Sequence, residues 1–265
     1  MAGGLRTRVL SAAVMAPPVL AALVAGPPYS DILIVGSAMV LAWEWGGMIL
    51  GKRGMPAWLL VLFTGLFVAG GIFLHPLHLA VTAVGGGLLC YLLQRQESGR
   101  DAPGLWLAAG LFYILPPSIA LLWLRREEPE GLLFVLFAVL TVWATDIGAY
   151  FAGRAIGGWK ILPSISPSKT WAGLAGGMLA AAAVGAGLSQ LFSHATLPGA
   201  ALLAAGLAVL AQAGDFLESA IKRHFSRKDA SALIPGHGGL LDRVDGLLPV
   251  ALVLMILVWA EAGLL

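Results

Sequence analysis

The 265-residue chain is short of charge: only 11% of its residues are Asp, Glu, Lys or Arg, against about 25% in an ordinary soluble domain. A water-facing surface of that size cannot be assembled from so few charges. There is a single cysteine, Cys90, which excludes an internal disulfide framework and a cysteine-based zinc site. Long polar stretches are also scarce, leaving no room for a separate soluble domain. What is present is apolar: 59% of residues are hydrophobic and the mean hydropathy is +0.89. At about 20 residues per span, the length accommodates at most about ten membrane helices. The expected fold is therefore all-α, a polytopic membrane helix bundle forming one integral domain over 1–265. The net charge of +2 says little by itself; the distribution of basic residues decides more.

Apolar runs predict nine spans near 9–26, 29–50, 57–74, 77–94, 104–124, 131–152, 171–192, 197–218 and 247–264. Turn chemistry or charge separates them, as at Gly26-Pro27-Pro28, Lys52-Arg53 and Arg125-Arg126-Glu127-Glu128-Pro129. The pairs Pro17-Pro18 and Pro116-Pro117 fall within spans, where a bundle can satisfy the freed carbonyls. With the N-terminus in the cytoplasm, fourteen of the sixteen Lys and Arg lie on the cytoplasmic side, and only Arg125 and Arg126 lie outside. That asymmetry supports an odd number of spans. The first segment also reads as a signal peptide behind Arg6 and Arg8, but the odd count needs it retained. The organisation expected is spans 1–5 over 1–130 and catalytic spans 6–9 over 131–265, with cytoplasmic loops 153–170 and 219–246.

Ionisable side chains inside spans are costly and so mark candidate sites. Those singled out are Glu44, Asp146, Asp215 and Glu218. For Glu44, between Trp43 and Trp45, an interhelical hydrogen bond or an interfacial position is the favoured reading. Asp146 and Asp215 lie toward the cytoplasmic ends of their helices, beside the two polar loops, and are read as functional. The first loop carries Ser166, Ser168, Lys169 and Thr170 ahead of a helix start, an arrangement that suits either an anion or an ordinary helix cap. In the second, Asp215, Glu218 or Ser219, and Lys222 share a face if the eighth helix continues past the membrane. Asp242 and Asp245 project together if their stretch is helical. Carboxylates suit Mg²⁺, which is commonly shared with substrate phosphates, while Lys and Arg neutralise phosphate oxygens. Gly236, Gly238 and Gly239 would let backbone approach a phosphate closely. Elsewhere the signals are weak. His75 and His78 lack a nearby carboxylate, Gly85-Gly86-Gly87 and Gly173-x-x-x-Gly177 read as packing faces, and Cys90 reads as an inert thiol.

The run from Ser219 through Lys222-Arg223, Lys228-Asp229, Pro235-Gly236-His237-Gly238-Gly239 and Asp242-Arg243 to Asp245 resembles the signature of the phosphatidate cytidylyltransferases, or CDP-diacylglycerol synthases. The resemblance extends to Asp146-Ile147-Gly148-Ala149-Tyr150, to Gly153-Arg154, and to the loop Ser166-Pro167-Ser168-Lys169-Thr170. Ser168 and Ala172 depart from the Lys and Glu common at those places. The resemblance implies cytidylyl transfer from CTP to phosphatidic acid, giving CDP-diacylglycerol and pyrophosphate. It casts Asp215, Asp242, Asp245 and Asp146 as Mg²⁺ ligands, with a second cation such as K⁺ as an addition. Lys222, Arg223, Lys228 and Arg243 become phosphate clamps, and Ser166, Lys169 and Thr170 a second phosphate-binding element. His237, Gly238 and Gly239 are substrate contacts, although His237 serves equally well to order its turn. The expected partners are CTP, phosphatidic acid and membrane lipid, with no nucleic acid and a second copy of the chain as a homodimer. The expected location is the bacterial inner membrane, with the site facing the cytoplasm. A CTP-dependent kinase of polyprenol or phytol is the nearest alternative; an ion or metabolite transporter is the alternative from another class.

Overall fold

The computed structural model describes residues 5–51, 55–73, 103–193 and 195–261. Among them the structure is helical: α1 (Leu5–Ala25), α2 (Tyr29–Leu50), α3 (Met55–Gly70), α4 (Pro103–Arg126), α5 (Gly131–Ala155), α6 (Trp171–Leu188), α7 (Leu197–His224), the single turn α8 (Leu241–Val244) and α9 (Leu247–Glu261). Eight of the nine expected spans coincide with a helix; the ninth, 77–94, lies outside the described residues, as do His75, His78, Gly85-Gly86-Gly87 and Cys90. Five helices, α2, α4, α5, α6 with its terminal 3₁₀ turn, and α7, are long and apolar enough to cross a membrane. Three shorter apolar stretches, Ala13–Ala25, Ala57–Gly70 and Leu247–Glu261, accompany them. Large apolar side chains such as Leu66, Leu179 and Leu202 are exposed, as expected of helices whose outer faces meet lipid rather than water. The protein is an integral membrane protein.

The chain divides into two compact units. One comprises residues 1–126 with 225–243, the other 127–224 with 244–265. The signature stretch is thus cut before Phe225 and again after Arg243, and the part between belongs with the N-terminal helices. In the first unit Trp45, 1% exposed, is core and not interface. Its indole N–H donates to the Trp106 carbonyl at 2.9 Å, and its ring stacks on Tyr113 with centroids 5.4 Å apart. Arg125 and Arg126, the two basic residues outside the expected cytoplasmic set, have local partners in this unit. Buried Arg125 donates from Nε to the Leu23 carbonyl at 2.7 Å, satisfying the open end of α1, and Arg126 pairs with Asp31 at 2.5 Å.

In the second unit, α5 and α6 approach backbone to backbone. A Cβ on Gly148 would lie 2.6 Å from the Gly176 carbonyl, and one on Gly177 would lie 2.9 Å from that of Thr145. Small residues four apart therefore act as the packing face their spacing suggests. α7 runs to His224, past the expected end at 218, and carries its polar residues beyond the apolar stretch.

Candidate active site

In the second unit, polar side chains from α5, from the loop before α6 and from α7 converge. Asp146, Tyr150 and Arg154 recur at four-residue spacing along one face of α5, and the Arg154 guanidinium donates to the Tyr150 hydroxyl at 3.2 Å. Gly157 and Gly158 then turn the chain with positive φ of 68° and 89°. The loop folds back on itself, with the Ile161 N–H donating to the Lys169 carbonyl and the Trp171 N–H to that of Trp159, both at 3.1 Å. This delivers Lys169 to the start of α6. Thr170 caps that helix, its Oγ1 accepting from the Gly173 N–H at 3.0 Å. The capping reading therefore holds for Thr170, while Ser166 lies earlier in the same loop, its N–H donating to the Leu162 carbonyl at 3.0 Å.

Lys169 forms an ion pair with Asp215 of α7 and lies 4.9 Å from the Phe216 ring centroid. Asp215 also accepts from the Ser219 hydroxyl at 3.2 Å, and Lys222 pairs with the buried Glu218 one turn back. The shared face expected of a continued eighth helix is thus realised. A cavity of about 350 Å³ opens here, lined among others by Asp146, Tyr150, Arg154, Lys169, Thr170 and Gln212. Gln212, buried and one turn before Asp215, was not among the site residues expected from sequence. Its signal was available: a lone amide within the apolar stretch 200–213 of α7 has to meet a polar partner or a cavity.

Asp245 stands in the two-residue turn after α8. Its carboxyl is pushed up to about 7, first by burial, then by the negative charge of Asp215 and also of Asp146, against the opposing effects of the Gly246 N–H and Lys169. Its residue surface is only half-buried, but protein surrounds the carboxyl closely enough for desolvation to dominate. Three carboxylates thus share one electrostatic neighbourhood around a single lysine. Among the described residues no group of three or more His, Cys, Asp or Glu is close enough to cage a metal. Mg²⁺ ordinarily takes one or two carboxylates and completes its shell with water and substrate phosphates. A crowded set of mutually repelling carboxylates fits that mode of binding.

In the first unit the signature loop has a different construction. The Ile234 N–H donates to the Gly238 carbonyl at 2.7 Å and the Gly238 N–H back to Ile234 at 3.1 Å, closing a tight turn. Gly236 and Gly238 have positive φ of 80° and 85°. Asp242 accepts from the N–H groups of Gly239 at 2.7 Å and Ala230 at 3.0 Å. A Cβ on Gly238 would lie 2.6 Å from its carboxylate, so this glycine admits a side chain of the same loop. His237 Nδ1 is hydrogen-bonded to the Ser11 hydroxyl of α1 at 2.8 Å, in keeping with a role in ordering its turn. Lys228 and Arg243 are exposed in this unit, and Arg223 is exposed in the other. The helical stretch ends at Val244, so Asp242 and Asp245 do not project from one helix.

These features define an integral membrane protein with carboxylates and basic side chains gathered at polar helix ends, chemistry suited to phosphate substrates. The sequence matches the Cytidylyltransferase family over residues 6–260, and the chain belongs to that family. It is 35% identical to a phosphatidate cytidylyltransferase of Brucella suis biovar 1 (strain 1330) over 254 residues, 94% of this chain and 92% of that one. It is 34% identical to the phosphatidate cytidylyltransferase of Haemophilus influenzae (strain ATCC 51907 / DSM 11121 / KW20 / Rd), covering 92% and 94% of the two chains. Identity to that of Bacillus subtilis (strain 168) is 42% over 127 residues, 47% of each.

Proposed function

We propose that this protein is a phosphatidate cytidylyltransferase that makes CDP-diacylglycerol and pyrophosphate from CTP and phosphatidic acid. The observation that carries the reading is the meeting of Lys169 and Asp215 beside the cavity that Asp146 lines, in a chain similar over nearly its full length to proteins of that name. In the proposed reaction a lipid phosphate oxygen forms a bond to the α-phosphorus of CTP while the bond from that phosphorus to the bridging oxygen of the leaving pyrophosphate breaks. The lipid phosphate is already anionic at neutral pH, so positioning and charge neutralisation supply most of what is needed.

In this reading Lys169 exchanges its Asp215 partner for a phosphate oxygen. Arg154 and the N–H groups at the start of α6 add positive character to the same cavity. Mg²⁺ would be held by one or two of Asp215, Asp245 and Asp146; Asp242, three residues before Asp245, is assigned to that set by the sequence pattern alone. Bound there, Mg²⁺ would neutralise charge on the phosphates. Arg223, Lys228 and Arg243 are the remaining cationic contacts for phosphate, and Lys222 joins them on release from Glu218. The reading carries with it nine spans, a cytoplasmic N-terminus, a site facing the cytoplasm of a bacterial inner membrane, K⁺ as an added cation and a homodimer. The test is incubation of purified protein with phosphatidic acid, Mg²⁺ and CTP labelled at the α-phosphate. Label in the lipid with release of pyrophosphate is expected; label that stays in the nucleotide while CDP forms would make the protein a lipid kinase.

A further inference from the structure

Glu44 is a carboxylate within the apolar helix α2 and is 1% exposed. Such a group is tolerated only where it is fully hydrogen-bonded. Its hydrogen-bond partners among the described residues come from the signature loop. The Ser231 hydroxyl donates to Oε1 at 2.6 Å, the Leu240 N–H to Oε1 at 2.9 Å and the Leu241 N–H to Oε2 at 2.7 Å. The loop has a glycine where the carboxylate arrives: a Cβ on Gly239 would lie 2.5 Å from Oε1. One side chain thus grips the loop at two places nine residues apart in sequence, Ser231 and Leu240, on either side of the Ile234–Gly238 turn. The next residue, Leu241, opens the helical turn that presents Asp242.

We propose that Glu44 is a positioning residue for cytidylyl transfer, locking the signature loop so that Asp242 is held in one orientation; this rests on the function proposed above. Three donors aimed at two oxygens need an acceptor-only group. Glutamine in its place turns an NH₂ toward either the Leu241 N–H or the Ser231 and Leu240 donors, so at least one buried bond is lost. Aspartate keeps the acceptors but shortens their reach by one methylene.

The test compares Glu44→Gln and Glu44→Asp with Asp31→Asn. Asp31 is another buried carboxylate of α2, but its partner is Arg126 of α4 and not the loop. For Glu44→Gln, kcat should fall about 30-fold, within the roughly 100-fold that a misplacement of about 1 Å can cost, and half-saturating Mg²⁺ should rise about tenfold. Glu44→Asp should recover part of both. Asp31→Asn should lower the thermal midpoint in detergent and leave kcat and the Mg²⁺ requirement unchanged. Unaltered constants in Glu44→Gln, or equal kinetic losses in Asp31→Asn, would overturn the proposal. Should Glu44→Gln fail to fold, Glu44→Asp and Ser231→Ala carry the same comparison, with smaller losses expected and none overturning it. Amide hydrogen exchange at Leu240 and Leu241 separates this inference from the function on which it rests. Faster exchange in Glu44→Gln is expected whichever nucleotide chemistry the wild type performs, and wild-type protection there would refute the lock by itself.

Discussion

The carboxylates of the two units are held in opposite ways. In the first unit Glu44 and Asp242 are met by backbone N–H groups and a hydroxyl that converge on their oxygens. In the second, the charges of Asp215 and Asp146 raise the cost of ionising Asp245, and Lys169 opposes them. A carboxylate saturated by backbone donors fixes a loop. Carboxylates crowded against like charge are set to receive a cation and the phosphates that accompany it. The contrast gives Glu44 a geometric part and the carboxylates of the second unit a charge part.

The largest effect that could break this contrast is expected at Asp215. Exchange to Asn should lower label transfer by about 10³-fold at saturating Mg²⁺ with the thermal midpoint little changed, measured by α-labelled CTP incorporation and melting in detergent. Near-normal turnover would remove Asp215 from the charge cluster. Next in size is Gly239→Ala, whose Cβ would press on Glu44. A loss of about tenfold in kcat is expected, and KM for CTP should hold if the loop supplies geometry more than affinity. Lys169→Ala should act the other way, raising KM for CTP about tenfold through loss of a charge-assisted contact. Equal effects of these two variants on kcat and KM would erase the distinction between the units.

The helices were legible because membrane helices must be long and apolar: eight of the nine expected segments coincide with a helix, and five helices are long and apolar enough to cross a membrane. The continuation of α7 was legible in the spacing of Asp215, Ser219 and Lys222. The part of Glu44 was not, because its partners lie 187 to 197 residues away and two of the three are backbone amides, which leave no side-chain pattern. For the same reason the glycines of the signature read as room for phosphate, whereas Gly238 and Gly239 make room for Asp242 and Glu44. Arg125 and Arg126 likewise read as exceptions to a charge rule until the end of α1 and Asp31 supplied their partners.

The smallest effect concerns Asp245. The folded protein binds its proton more tightly than an unfolded chain, whose aspartates titrate near 3.8. The stability it contributes is therefore complete below that value and lost as pH rises through about 7. Without Mg²⁺, the thermal midpoint should drop on the order of 5 °C between pH 6 and pH 8, and Asp245→Asn should flatten that slope. A wild-type midpoint that does not move over this range would show that the crowding in the second unit is relieved by some other means.

The most direct measurement is Mn²⁺ binding, followed by electron paramagnetic resonance, to purified wild type and Asp215→Asn in the presence of CTP. Saturable binding by the wild type that is lost in the variant is the expected result. Equal binding by both would contradict the assignment of the cation to the crowded carboxylates.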